Sequence, residues 1–241
     1  LVYGIPSFKL EKDVVEAEID VIHKMGVDIK TGVEVGKDIT IDELKKQGYK
    51  AFYIAIGCQG SRKAGIPGED ADGVVSAVDF LKQAGYTHEY PLEGDVVVIG
   101  GGAVGLDVVE FFAPRGAEVS IVEMMPAIGR DLDPVTKNDT KCMMEKYNVN
   151  QLTSTALQEV KEDCFVVKSP EGEVYELPFD HGFVCLGMRA QSKVYEEVSK
   201  AYKDTNVRVE NIGDSVRARR IIDGTFEGRN IVFTLEQKGF L

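Results

Sequence analysis

Three glycines at the spacing Gly100-x-Gly102-x-x-Gly105 follow the apolar run VVVI (residues 96–99) and open a stretch, AVGLDVVEFF, with helical periodicity. Each glycine in such a pattern has its own physical task. The first permits a tight turn, the second lets backbone N–H groups approach a pyrophosphate, and the third lets helix and strand pack closely. The turn Gly100, Gly101, Gly102, Ala103, Val104, Gly105 therefore reads as a phosphate cradle, with the positive end of a helix dipole behind it. Glu123 ends the next apolar run, EVSIVE, 23 residues beyond Gly100. A carboxylate there accepts hydrogen bonds from both ribose hydroxyls of an adenosine and repels a 2′-phosphate. The pattern thus predicts NAD, with NADH preferred over NADPH. The alternative is a glycine turn in a sheet that holds no nucleotide.

The elements that must position this turn follow a strand, turn, helix, strand rhythm from Asp95 onward, as in a parallel doubly wound sheet. A helix is predicted over residues 134–147. Short strands follow near CFVVKSP, EVYELPF and GFVCLG, with Ser169-Pro-Glu-Gly172 as a hairpin turn. Before the glycine turn, DVVEAEIDVIHKM with Gly26 behind it reads as an amphipathic helix, VDIKTGVEV as strands, and Thr40-Ile-Asp-Glu43 as a capping box. YKAFYIAIG (residues 49–57) reads as a strand buried on both faces. A Gly- and Pro-rich loop over residues 57–73 and a helix, SAVDFLKQAG, come next. At the far end NVRVENIGD reads as a strand, RNIVFTLEQKGF as a helix, and Arg217, Arg219 and Arg220 as a solvated helix face.

Composition narrows the function classes. With 241 residues, 44% hydrophobic and 28% charged, the chain can bury one large core or two modest ones. A net charge of −12 disfavours a nucleic-acid partner, whose phosphates draw affinity from clustered Lys and Arg. No apolar run reaches the roughly 18 residues that span a bilayer, and no signal-peptide pattern is present. Cys58, Cys142, Cys164 and Cys185 form no C-x-x-C pair and have no His at ligand spacing, so neither a metal site nor a redox disulfide is expected. Reduced cysteines fit a cytoplasmic protein. His23, His88 and His181 fall in a helix, a polar loop and a pre-strand turn, and each reads as a surface or packing residue. Leu1 stands where a Met would begin a chain, and the sequence is expected to be a piece of a longer one.

GIPSFKL (residues 4–10), AIGCQGSRKAGIPGED (residues 55–70) and NIGD (residues 211–214) together resemble the flavoprotein oxidoreductases related to the small subunit of glutamate synthase, within the pyridine nucleotide-disulfide oxidoreductase superfamily. VEMMPAIGRDLDP (residues 122–134) is more similar to the nicotinamide domain of 2-enoate and dienoyl-CoA reductases. The resemblance implies an α/β fold in which a Rossmann-like NAD(P)-binding domain, a parallel sheet plus a three-stranded antiparallel meander, is inserted into a partial FAD-binding domain. On that pattern residues 1–92 are the later part of the first flavin segment, 93–190 the inserted domain and 191–241 the return. It implies that Ile5 and Pro6 lie near the flavin, that Gly57 ends a flavin-domain strand, and that Asp214 beside Gly213 holds the ribityl hydroxyls of FAD. Gly187 corresponds to a strand end in the nicotinamide domain, and Asp107 to a carboxylate near the nicotinamide.

The sequence contains one G-x-G-x-x-G, so FAD is expected in the full-length parent and weakly or not at all in this chain. No residue needs to act as a nucleophile, because the cofactors carry the chemistry of hydride transfer. The expected activity is hydride transfer between NADH and FAD, with electrons passed to an external acceptor such as an iron–sulfur partner. The alternatives are a stand-alone NAD-dependent dehydrogenase and a non-catalytic NAD-binding redox sensor.

Overall fold

The structure is a computed structural model. It describes residues 1–2, 4–57, 63–71, 76–87 and 93–240. In chain order the elements are α1 (Lys12–Lys24), α2 (Ile41–Lys46), α3 (Ala77–Thr87), β1 (Asp95–Ile99), α4 (Ala103–Phe112), β2 (Glu118–Glu123), α5 (Pro134–Lys146), β3 (Asn150–Thr153), β4 (Ala156–Val160), β5 (Cys164–Lys168), β6 (Val174–Pro178), β7 (His181–Val184), α6 (Lys193–Ala201) and α7 (Ile221–Gln237).

A parallel sheet of order β3-β2-β1-β7 lies at the centre, and β4-β5-β6 form a separate antiparallel sheet. Alternation along β1 explains the two layers that cover it. Val96 and Val98 point into a cluster with Phe80, Leu106, Val109, Phe112 and Phe183. Val97 and Ile99 point the other way, into a cluster with Val122, Val160, Phe165 and Val167. A strand covered on both faces must be apolar at every position, which is what VVVI supplies. The α3 side is an aromatic nest. Phe80 lies 5.4 Å from Phe111 edge-on, 5.5 Å from Phe112 stacked, and 4.7 Å from Phe183.

The α/β class, the parallel sheet and the three-stranded antiparallel sheet agree with the sequence reading, but GFVCLG falls elsewhere and two strands come from a stretch to which that reading gives no element. NVNQLTSTAL supplies the edge strand β3 and the first meander strand β4. GFVCLG supplies β7, which joins the parallel sheet beside β1. His181 is accordingly the first residue of β7 rather than part of a turn. The hairpin at Ser169 forms, closed by the Ser169 N–H to Glu173 O at 2.8 Å, with Gly172 at φ 92°. The capping box of α2 also forms, Glu43 receiving the Thr40 N–H while Thr40 receives that of Glu43.

Three expected strands are absent as ladders. VDIKTGVEV contributes only an isolated bridge, Val35 to Ile39, while residues 49–57 and 206–212 run without a strand assignment. The reason is the absence of partners among the described residues. A strand that is apolar on both faces needs neighbours on both edges and cover above and below, whereas Tyr53 is 60% and Ile56 62% exposed. Helix α7 begins at Ile221, eight residues ahead of the expected start, despite Gly224 and Gly228. Arg217, Arg219 and Arg220 therefore lie on the approach to α7 rather than on a helix face. Cys58 and His88 lie outside the described residues. Among the described residues no helix is long and apolar enough to cross a membrane.

Candidate nucleotide site at the glycine turn

The turn after β1 is held from both neighbouring strands. The Gly100 N–H donates to Val122 O at 2.7 Å, and the Cys185 N–H donates to Ile99 O at 2.7 Å. Gly100 adopts φ 104°, and a Cβ there would lie 2.2 Å from Cys185 O. A Cβ on Gly105 would lie 1.9 Å from Gly100 O, so helix and turn touch backbone to backbone. Gly102 differs: a Cβ there meets nothing within 4 Å, and its backbone is extended at φ −81°, ψ −179°. Gly102 is also the N-cap of α4, with no side chain capping the helix. Open space in front of uncapped first-turn N–H groups is the geometry that receives a phosphate, so the residues present fit a dinucleotide.

Glu123 reaches back across this turn. Its Oε2 accepts the Gly101 N–H at 2.7 Å and its Oε1 accepts the Met125 N–H at 2.8 Å. The loop beyond it folds over the same glycine, the Gly129 N–H donating to Gly101 O at 2.8 Å while Ile128 packs 3.1 Å from where a Gly101 Cβ would be. β1 lies between β2 and β7, so the chain leaves β1 toward one side and later returns to the other. This is the switch point at which doubly wound sheets bind ligands. The crevice there is lined by Ala77, Val104, Val184, Cys185, Leu186, Gly187 and Met188. Burial pushes the Cys185 thiol well above its ordinary range, with the Asp107 charge adding to the effect.

Asp107 sits one turn into α4 and forms an ion pair with Lys9, whose Nζ also lies 2.9 Å from Glu110 Oε2. Burial raises the Asp107 pKa above the ordinary aspartate value, and the Lys9 charge only partly offsets this. Burial likewise opposes the charge on Lys9, but the Asp107 and Glu110 carboxylates outweigh it and hold its pKa above the usual lysine value. Lys9 is placed by a turn in which its own N–H and that of Leu10 donate to Pro6 O, at 3.0 and 3.1 Å. Ile5 O accepts from the Lys12 ammonium. Arg115 completes the contact, with its guanidinium 4.3 Å from the Phe111 ring centre and 5.9 Å from that of Phe8. The segment that carries Ile5 and Pro6 is thereby docked on α4.

The remaining sequence candidates lie apart from the glycine turn. Gly57 adopts φ 68° at the end of the exposed stretch. Gly213, at φ 68°, opens a single 3-10 turn, Gly213–Ser215. Its N–H donates to Glu227 Oε2 at 2.6 Å, Glu227 Oε1 pairs with Arg219 Nη2 at 2.6 Å, and Asp214 Oδ1 accepts the Arg219 N–H at 3.2 Å. Among the described residues no hydrogen bond joins Gly213 or Asp214 to the glycine turn. The sequence reading does not single out Lys9, Gly129 or Glu227, and it takes Arg219 only as part of a solvated helix face. Lys9 and Gly129 stand inside GIPSFKL and VEMMPAIGRDLDP, which were the available signals. Among the described residues no group of His, Cys, Asp and Glu could hold a metal ion.

The chain is similar to the NADP(+)-dependent formate dehydrogenase subunit beta of Moorella thermoacetica, 29% identical over 253 residues, which cover 96% of this chain and 35% of that protein. The glutamate synthase [NADPH] small chain of Escherichia coli is 39% identical over 128 residues, 48% of this chain and 27% of its own. That of Halomonas elongata is 26% identical over 280 residues, 95% of this chain and 58% of its own. The chain thus spans less than two thirds of the length of each of these relatives. Of solved structures, a 2-naphthoyl-CoA reductase complex superposes with a TM-score of 0.70 at 26% identity, covering 88% of this chain and 30% of that one. T. acidophilum thioredoxin reductase shares the fold, with a TM-score of 0.55 at 17% identity over 76% of this chain and 64% of its own. The family description matches residues 7–213 of the 241, and the chain belongs to the pyridine nucleotide-disulphide oxidoreductase family.

Proposed function

We propose that the chain is the nicotinamide-binding part, with portions of the flavin-binding part, of an NAD(P)H-dependent flavoprotein oxidoreductase. The observation that carries this reading is the open, uncapped turn at Gly102, framed by Gly100 and Gly105, at the switch point of the sheet. The bound cofactors would supply the chemistry of hydride transfer between nicotinamide and flavin. The chain's own task is to bind and orient. The N–H groups of residues 102–104 hold the pyrophosphate, Glu123 holds the adenosine ribose, and the crevice at Gly187 receives the nicotinamide end near Asp107. Lys9 balances the Asp107 charge and fixes the segment carrying Ile5 and Pro6, on the flavin side, against α4.

The flavin-side residues are assigned on the same footing. Asp214, with Gly213, takes the ribityl hydroxyls, and Gly57 ends the apolar stretch at the crossover. The pyrophosphate of FAD needs a second glycine turn, which the full-length protein would supply. The inserted nucleotide-binding unit spans about residues 93–190, and the packing of α3 against α4 and β7 supports extending it to Ser76. The acceptor is an external redox partner, an iron–sulfur centre being the first choice. Support comes from relatives named as subunits of larger enzymes, including an NADPH-Fe(3+) oxidoreductase subunit beta of Geobacter sulfurreducens. A visible spectrum of the purified full-length protein tests the proposal. Flavin bands that bleach on addition of reduced nicotinamide nucleotide are expected, and a colourless protein that binds NADH would overturn the flavoenzyme reading in favour of a redox sensor.

NADH is the preferred nucleotide on the strength of Glu123, although relatives are named for NADPH or NADP(+). A 2′-phosphate beside this carboxylate places like charges in contact. Parallel titrations of the two nucleotides are expected to give NADH at least about tenfold tighter binding, equal to about 1.4 kcal/mol. Tighter NADPH binding would reverse the assignment.

Glu227 yields a separate expectation. Replacing it with Ala removes the acceptor of the Gly213 N–H and the partner of Arg219. The full-length Glu227→Ala protein should then lose FAD on gel filtration under conditions in which the wild type keeps it, with NADH affinity unchanged.

A further inference from the structure

Glu123 is doubly engaged before any ribose arrives. Oε2 takes the Gly101 N–H and Oε1 the Met125 N–H, so the carboxylate bridges the glycine turn to the chain leaving β2. The base of that bridge is fixed in turn, since Glu123 O accepts the Thr155 N–H at 3.0 Å and Met125 O accepts the Ser154 N–H at 3.0 Å. Gly101 O receives the Gly129 N–H at 2.8 Å. Both backbone polar groups of Gly101 are therefore satisfied from the β2 side of the turn, one by a side chain and one by a loop.

The packing around Gly129 locks the loop in place. Gly129 stands at φ 65°, a conformation that strongly favours glycine. A Cβ there would press on Leu132 Cδ1 at 3.0 Å, and Ile128 would lie 3.1 Å from a Cβ placed on Gly101. Ile128 and Leu132 are themselves packed against the cluster that includes Leu106 on α4. The loop therefore ties the turn to the helix that it opens.

We infer that Glu123 and Gly129 form a clamp on Gly101, so that Glu123 positions the glycine turn for any nucleotide besides contacting the ribose. This inference builds on the nucleotide-binding reading above. Each carboxylate oxygen has lone pairs left for a ribose hydroxyl, so the two tasks coexist. A Gln side chain keeps one acceptor oxygen and turns an NH2 donor toward the other N–H. It can satisfy Gly101 or Met125, but not both. Removing the charge at Glu123 to admit a 2′-phosphate should therefore loosen the turn, and it should not convert an NADH site into an NADPH site.

The test pairs Glu123→Gln with Gly129→Ala in the full-length protein. Amide exchange resolved to Gly101, measured without nucleotide, is expected to accelerate at least about tenfold in both variants. NADPH affinity is expected to fall in Glu123→Gln along with NADH affinity. Unchanged Gly101 exchange in Glu123→Gln, or NADPH affinity that rises in that variant, would overturn the clamp. Gly129→Ala leaves the carboxylate intact, so weakened binding of both nucleotides in that variant separates turn-holding from ribose contact, and unchanged binding counts against the clamp. A wild type that binds neither nucleotide would sink the nucleotide-binding reading, while the exchange measurement would still decide the clamp.

Discussion

Gly102→Ala should keep the wild-type melting temperature within about 2 °C yet bind NADH at least about tenfold more weakly, whereas Gly105→Ala should lose both stability and binding. The two glycines separate because the space around them differs. A methyl at Gly102 meets no protein atom within 4 Å, and φ −81° is open to alanine. Its only obstruction is in the space where the pyrophosphate would sit, and the free protein should barely register it. At Gly105 the methyl lands 1.9 Å from Gly100 O, a backbone atom that moves only if β1 or α4 moves. Overpacking of this kind costs about 3 kcal/mol, and the better helix propensity of alanine returns about 1 kcal/mol. The remainder lowers the melting temperature by about 4–8 °C in a chain of this size. Thermal melts beside NADH titrations check both variants. A Gly102→Ala protein that binds NADH as the wild type does would remove the pyrophosphate from this turn.

The parts of the fold legible in the sequence are those whose signals are local. β1, its glycine turn, α4 and β2 follow one another without interruption, and every residue of VVVI is apolar because both faces are covered. Residues 49–57 read as a strand but form none, for the complementary reason. Their composition describes a two-faced strand, but a ladder also needs partner strands, and composition does not reveal whether these are at hand. Helix α7 was placed too late because Gly224 and Gly228 look like breakers, each costing about 1 kcal/mol relative to alanine in a helix. One reason for a small residue is visible at Gly228, where a Cβ would lie 2.8 Å from the Tyr53 hydroxyl. GFVCLG follows CFVVKSP and EVYELPF directly in sequence, and nothing local marks that β7 leaves them to pair with β1. Its return to β1 depends on the Asp180 N–H meeting Asp95 O and the Asp95 N–H meeting Asp180 Oδ2, contacts 85 residues apart.

The candidate site divides along the same line. Glu123 was legible as an acid at the end of the second strand, but its grip on Gly101 depends on how the next loop folds back. Asp107 was legible only through the family resemblance. Its partner Lys9 lies 98 residues away in sequence, and no spacing rule connects them.

Lys9→Met should turn a modest pH dependence of stability into a steeper one between about pH 4 and 7, with the variant losing ground to the wild type as pH rises. Asp107 faces Lys9, Glu110 and the buried thiol of Cys185. Burial raises its folded-state pKa above the ordinary 3.8, so the stability linked to its proton is fully present below 3.8 and is lost as pH climbs through the folded value. Lys9 limits that loss by pulling the folded value down. Its own pKa lies above 10.5, so its contribution is intact across this whole window and disappears only beyond it. Without the ammonium, burial and the Glu110 charge act on Asp107 unopposed, its folded value climbs further, and the loss extends toward neutral pH. The pair is neither fully buried nor freely exposed, with side-chain exposures of 32% and 19%, so its removal should cost about 1–2 kcal/mol at pH 7. Denaturant melts of the wild type and Lys9→Met at pH 4, 5.5 and 7 measure this directly. Adding Asp107→Asn to Lys9→Met should recover most of the loss at pH 7, because no charge is then left buried without its partner. A difference between wild type and Lys9→Met that stays constant with pH would show that Lys9 acts through the packing of its alkyl chain and not through Asp107.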